Sequence, residues 1–215
     1  VDAAETDRRK AQAVNEHGAE AIALAARDLG MPLVHLSTDY VFAADAGGPH
    51  TEDAPTDPAG VYGATKLAGE RAVLAAHGVD SAVLRTAWVY SPFGGNFVKT
   101  MLRLARERDE VGVVADQFGN PTSALDIAEG VIAVARNLLA DPDPCLRGVF
   151  HLTGQGDASW AQLAEAVFDL SHELGGPWAQ VRAIPTSAYP TVARRPADSR
   201  LDCARIAAVH GVALP

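Results

Sequence analysis

Val61-Tyr-Gly-Ala-Thr-Lys-Leu-Ala-Gly-Glu-Arg-Ala-Val-Leu74 reads as an amphipathic helix, and the apolar runs on either side of it decide the fold. Leu67, Ala68, Val73 and Leu74 can face a sheet while Lys66, Glu70 and Arg71 stay wetter, and Gly78 ends the run. Upstream, Leu33-Val-His-Leu36 is a short apolar strand; downstream, Ser81-Ala-Val-Leu-Arg85 is another. A strand, helix, strand succession crosses over right-handedly and makes the two strands parallel neighbours, so the spacing predicts an α/β protein.

Tyr62 and Lys66 stand four apart on that helix and project from one face, where phenol and ammonium can serve a single pocket. A fixed cation beside a tyrosine favours phenolate, so the pair reads as an acid/base couple in which Lys66 lowers the Tyr62 pKa. The same spacing also suits an amphipathic pair with a solvated tip. Ser37-Thr38-Asp39 directly follows the first strand, where open α/β sheets place their ligands, although Ser37 and Thr38 suit equally a turn that bonds its own backbone.

Composition narrows the function. The chain has 215 residues, 48% of them hydrophobic and only 6% aromatic, enough for one substantial core with a small lobe. Its formal charge of −9, without any Lys/Arg block, argues against a nucleic-acid partner and leaves small anions to a few local cations. Cys145 and Cys203 form no disulfide framework and no metal spacing, and no apolar run approaches the ~20 residues that span a bilayer. With no signal peptide at Val1-Asp-Ala-Ala-Glu-Thr-Asp7, the expectation is a soluble, cytoplasmic protein with no membrane partner.

The remaining elements follow in order. Residues 7 to 29 read as one helix stopped by Gly30 and Pro32, and 43 to 60 as a surface loop whose Asp and Glu residues at 52 to 57 lack metal-ligand spacing. Asn96 to Glu107 is amphipathic and carries Lys99 and Arg103; Val111 to Val114 is a strand. A helix over 124 to 140 starts behind Thr122 or Ser123, Val149 to Leu152 is a strand, and Ser159-Trp-Ala-Gln162 has capping-box spacing for a helix running to Gly175-Gly176. Val181 to Ile184 is strand-like, Ser187 to Arg200 a loop, and Asp202 can cap a last helix before Gly211.

Five segments together carry a resemblance: Leu36-Ser-Thr-Asp-Tyr-Val-Phe42, Val61-Tyr-Gly-Ala-Thr-Lys-Leu-Ala-Gly-Glu70, Asn96-Phe-Val-Lys-Thr-Met-Leu-Arg103, Asp116-Gln-Phe-Gly-Asn-Pro-Thr122 and Arg195-Pro-Ala-Asp-Ser-Arg-Leu201. In this order, with Arg85-Thr-Ala-Trp88, the chain resembles the extended short-chain dehydrogenase/reductases that act on nucleotide sugars, and within them the dTDP-4-dehydrorhamnose reductase family. The resemblance implies a partial Rossmann-like parallel sheet, with residues 1–90 the C-terminal part of a dinucleotide-binding domain and 91–215 mainly a smaller α/β substrate-binding lobe, 111–152 returning partly to the sheet. It implies NAD(P)H-dependent reduction of the 4-keto group of dTDP-4-dehydro-L-rhamnose, with Thr38, Tyr62 and Lys66 catalytic. Tyr62 and Lys66 would also meet the cofactor, and Thr38, Asp39 and Trp88 the sugar nucleotide. Asn15 falls where the superfamily often places a helix asparagine linked to the lysine through water. Arg194, Arg195, Arg200, Lys99 and Arg103 are candidates for a diphosphate, each otherwise a surface charge, and Trp88 is otherwise a packing residue.

The family's opening glycine-rich turn is absent from these residues, as is a final helix, so the expectation is that they are part of a longer protein and that the first strands of the sheet lie outside them. NADH against NADPH, homodimer against other oligomeric states, and any use of Mg2+, a family implication only, stay open. So do a nucleotide-sugar epimerase or dehydratase and a non-catalytic regulatory homologue.

Overall fold

The computed structural model describes residues 1–215. Its helices are α1 (Asp2–Thr6), α2 (Arg8–Gln12), α3 (Gly18–Asp28), α4 (Val61–His77), α5 (Phe97–Leu104), α6 (Ala124–Ala140), α7 (Trp160–Glu173) and α8 (Ala204–His210). Its strands are β1 (Leu33–Thr38), β2 (Ser81–Thr86), β3 (Val89–Tyr90), β4 (Glu110–Val114), β5 (Phe118–Gly119), β6 (Thr122–Ser123), β7 (Gly148–His151), β8 (Ala158–Ser159) and β9 (Gln180–Ile184).

A parallel sheet in the order β1-β2-β7 forms the floor, as an α/β protein requires. Its central strand has Ser81 to Arg85 buried throughout, and the pleat sends alternate side chains to opposite helix layers. Val83 points to Ala19 and Ala23 of α3 and Val73 of α4. Ala82 and Leu84 point the other way, joining Phe150 and Leu152 beneath Ile127, Val134 and Leu138 of α6 and Ile206 of α8. In register, Ser37 faces Arg85 and Arg85 faces His151, while Thr38 stands beside Thr86, so the C-terminal strand ends make a polar edge.

The helix expected over 7 to 29 is interrupted. A π turn at Ala13–His17 separates α2 from α3, and it lies where α4 comes closest: a Cβ on Gly69 would overlap the Asn15 carbonyl oxygen. π turns are uncommon and cluster at functional positions. Asn15 Nδ2 donates to Thr65 Oγ1 at 3.0 Å, and Thr65 in turn bonds the carbonyls of Val61 and Tyr62 at 2.9 and 3.0 Å, fastening the first turn of α4.

A second unit has its own core. β4 pairs in parallel with β9, and α5 and α7 cover the pair through Met101, Val111, Val113, Ala164 and Phe168. The capping box forms as its spacing predicts, Ser159 Oγ accepting from Gln162 N and Ser159 N donating to the Gln162 side chain. Two-residue pairings, β3 with β6 and β5 with β8, stitch the units together. No helix is long and apolar enough to cross a membrane.

Candidate active site at the C-terminal edge of the sheet

Thr38 and Asp39 leave the end of β1, and both are buried. Thr38 caps the short helical turn that follows: its hydroxyl accepts from Tyr40 N at 3.3 Å and donates to Asp39 Oδ1 at 2.9 Å. Burial pushes the Asp39 carboxyl up to about 6 against the opposing pull of the Ser199 and Thr38 hydroxyls.

α4 presents Tyr62 and Lys66 to the same edge. Glu5 of α1 accepts from Val61 N at 2.7 Å and so closes the open N-terminus of α4. Gly63 allows the Tyr40 backbone to lie against the helix, since a Cβ there would overlap the Tyr40 carbonyl oxygen. The Tyr40 and Tyr62 rings meet edge to face, with centroids 5.6 Å apart.

Electrostatics correct one expectation. Lys66 does not lower the Tyr62 pKa here: burial raises it above the ordinary phenol value, Thr38 opposes that, and Asp39 adds to it. The Lys66 amine is turned to the end of β1, donating to the Leu36 carbonyl at 2.6 Å, and burial lowers its own pKa against the pull of Glu70 one turn on. Sequence reasoning also passed over His35, which burial, with Lys66 nearby, drives down to about 4 and keeps neutral.

Trp88 follows β2 with φ of 44°, the one non-glycine residue in the left-handed region. Its ring stacks on Trp160 at 3.5 Å with planes 4° apart, and Gly119 makes room for it, since a Cβ there would overlap the indole. Trp88 is thus held by packing at the seam of the two units.

The candidate cations divide. Arg194 pairs with Asp45, Arg200 is held by Asp198 and Asp157, and Lys99 bonds the Pro92 carbonyl. Arg195 and Arg103, though they too meet carboxylates, Asp2 and Glu107, line a cavity of about 530 Å³, with Arg108, Phe97, Trp160 and Tyr189. Three guanidiniums and three aromatic rings in one concave wall suit a ligand with an anionic and a flat part. Arg108 and Tyr189 had no motif to mark them; the fold brings them together from 81 positions apart.

A cofactor is tested by what the edge leaves unpaired. Ser37 Oγ, Asp39 Oδ2 and Thr86 Oγ1 are buried without a hydrogen-bond partner at the C-terminal ends of β1 and β2, where this class of sheet holds its ligands. With Tyr62 and Lys66 above them, these residues fit a group bearing hydroxyls. No three His, Cys, Asp or Glu side chains converge as metal ligands would.

The comparisons agree with this geometry. The RmlD substrate binding domain family matches residues 1–215. A dTDP-4-dehydrorhamnose reductase of Sinorhizobium fredii is 50% identical over 215 residues, covering 100% of this chain and 72% of the relative. One from Escherichia coli K12 is 43% identical over 217 residues, again covering 100% and 72%. The crystal structure of dTDP-4-dehydrorhamnose reductase from Bacillus anthracis in complex with NADP superposes with a TM-score of 0.90 at 33% identity, over 100% of this chain and 72% of that one. With identity of this size along its whole length, the chain belongs to the RmlD family, that of the dTDP-4-dehydrorhamnose reductases.

Proposed function

We propose that this protein reduces the 4-keto group of dTDP-4-dehydro-L-rhamnose to give dTDP-L-rhamnose, with Thr38, Tyr62 and Lys66 as its catalytic group. The reading is supported by Thr38 at the end of β1, whose hydroxyl acts on the Tyr62 phenol, and by the Lys66 amine held on the Leu36 carbonyl of the same strand. NADPH, which the Bacillus anthracis relative's bound NADP supports, supplies a hydride to the carbonyl carbon.

The residues manage the oxygen. As the carbonyl becomes an alkoxide, Tyr62 hands it a proton and Thr38 donates a hydrogen bond to the same atom, two donors aimed where charge develops. Tyr62, its phenol held above the ordinary value by burial, stands protonated and has a proton to give, which the more basic alkoxide takes. Lys66, fixed by the Leu36 carbonyl, is placed to hold the hydroxyls of the nicotinamide ribose. Asp39, with one oxygen unpaired, and Trp88 are assigned to the sugar nucleotide. Arg103, Arg108 and Arg195 are assigned to its diphosphate, at the cavity they line.

We assign residues 1–90 to the dinucleotide-binding part and 91–215 mainly to the substrate lobe, with 111–152 returning partly to the sheet, a division supported by β7 within the main sheet and α6 packed beneath it. The two free cysteines support a cytoplasmic setting. Mg2+ has no residues assigned to it, and a homodimer is proposed on the resemblance alone.

Replacing Tyr62 by Phe removes the proton and keeps the ring. Turnover, followed as NADPH oxidation with dTDP-4-dehydro-L-rhamnose, is expected to fall by roughly 10²-fold or more with the melting temperature unchanged. A variant that kept more than about a tenth of the rate would overturn the assignment.

A further inference from the structure

We propose that Tyr40 is a positioning residue for Tyr62, anchored by Arg195, so that the group filling the arginine-lined cavity sets the aim of the catalytic phenol. Tyr40 touches two members of the catalytic group and the helix that carries them. Its amide bonds the Thr38 hydroxyl at 3.3 Å, its carbonyl lies against Gly63, and its ring stands edge-on to Tyr62 at 5.6 Å and 80°. Its own hydroxyl is outside that cluster and accepts from Arg195 Nη1 at 3.2 Å.

Arg195 is the joint. It lines the cavity, and its other terminal nitrogen pairs with Asp2 at 3.3 Å. A guanidinium shared between a carboxylate and a phenol has donors to spare for phosphate oxygens. An anion that draws Arg195 therefore pulls on the Tyr40 hydroxyl, and through that ring on Tyr62. Tyr40 is not an acid or base in this scheme, since burial pushes its phenol to about 12. Because a misplacement of about 1 Å can cost 10²-fold in rate, a small displacement of the Tyr62 ring registers in turnover.

The inference rests on the cavity being the diphosphate site, and the test separates the two. Thymidine diphosphate binding to the wild-type enzyme and to Arg195→Met is measured by calorimetry; no binding to the wild type, or equal binding to both, overturns the cavity reading. Tyr40→Phe keeps the ring and removes only the Arg195 anchor. It is expected to bind thymidine diphosphate within about twofold of wild type, to melt at the same temperature, and to lose about 5- to 30-fold in kcat at near-constant KM, a split that marks lost aim rather than lost binding. Wild-type kcat in Tyr40→Phe, with thymidine diphosphate still bound, overturns the positioning role alone. Tyr40→Leu, which removes the ring as well, is expected to fall below Tyr40→Phe; equality of the two would also defeat it.

Discussion

Asp39 is a carboxyl with almost no water around it. One oxygen accepts from Thr38 and the other has no partner, and the folded pKa of about 6 lies above the unfolded value near 4. The folded protein therefore holds this proton more tightly than the unfolded chain. The stability it contributes is complete below about pH 4 and is lost as pH rises through about 6. The gap between folded and unfolded values is worth about 3 kcal/mol at most. Asp39→Asn removes the titration while keeping the shape, so its stability relative to wild type, from urea unfolding, should rise by about 2–3 kcal/mol between about pH 4 and pH 8. Curves that stay parallel over that range would exclude a buried, perturbed carboxyl. The same variant should lose activity, because the unpaired oxygen is the part assigned to substrate.

At the scale of elements, α4 must be held still against β2 for two side chains on its first turns to share a target. The device is a buried ion pair: Glu70 receives two bonds from Arg85, at 3.0 and 2.7 Å, with both side chains almost without exposure. The Arg85 guanidinium also lies over the Phe42 ring at 5.1 Å, while Nη1 has no partner. Glu70→Ala strands that cation in the interior and should cost about 3–5 kcal/mol, whereas the double replacement Glu70→Leu with Arg85→Met should cost less than either single change. Additive losses in a denaturant double-mutant cycle would show that the two charges act separately.

Much of this architecture was legible in the residues alone. The Ser123 and Ser159 caps and the left-handed Gly211 stop rest on contacts within a few residues, which is the range over which sequence patterns report, while the β1-α4-β2 unit, whose strands pair 48 positions apart, was legible through the crossover rule. The π turn was not, because it answers to Gly69 on another helix. Nor was the pairing of β4 with β9, which begin 70 positions apart and whose exposed outer residues lack strict alternation. At the site, spacing brought out Thr38, Tyr62 and Lys66, but whether the Tyr62 phenol becomes more or less acidic depends on how much water burial removes, and no motif encodes that. Tyr40 sat inside a quoted motif without a role, and Arg195 was a diphosphate candidate only, until the fold joined them across 155 positions.

The whole molecule sets a final problem, since a chain with formal charge −9 must attract a doubly anionic diphosphate. Most of its arginines are already paired: Arg27, Arg85, Arg147, Arg182, Arg194, Arg200 and Arg205 all face carboxylates, and even Arg103 and Arg195 share theirs with Glu107 and Asp2. Arg108 has no such partner and lines the cavity. Repulsion from distant acids is screened beyond about 8 Å at physiological salt, but attraction at contact distance is screened less. Affinity should therefore hang on the few guanidiniums in the wall, and Arg108 should be the one whose charge is not already spent on the protein. Arg108→Gln is expected to weaken thymidine diphosphate binding about tenfold at low salt, the size of one charge-assisted hydrogen bond, with kcat nearly unchanged. The difference from wild type should narrow in about 0.5 M salt, where an exposed charge is screened. Equal affinity of the two proteins in dilute buffer would place the diphosphate elsewhere on the surface.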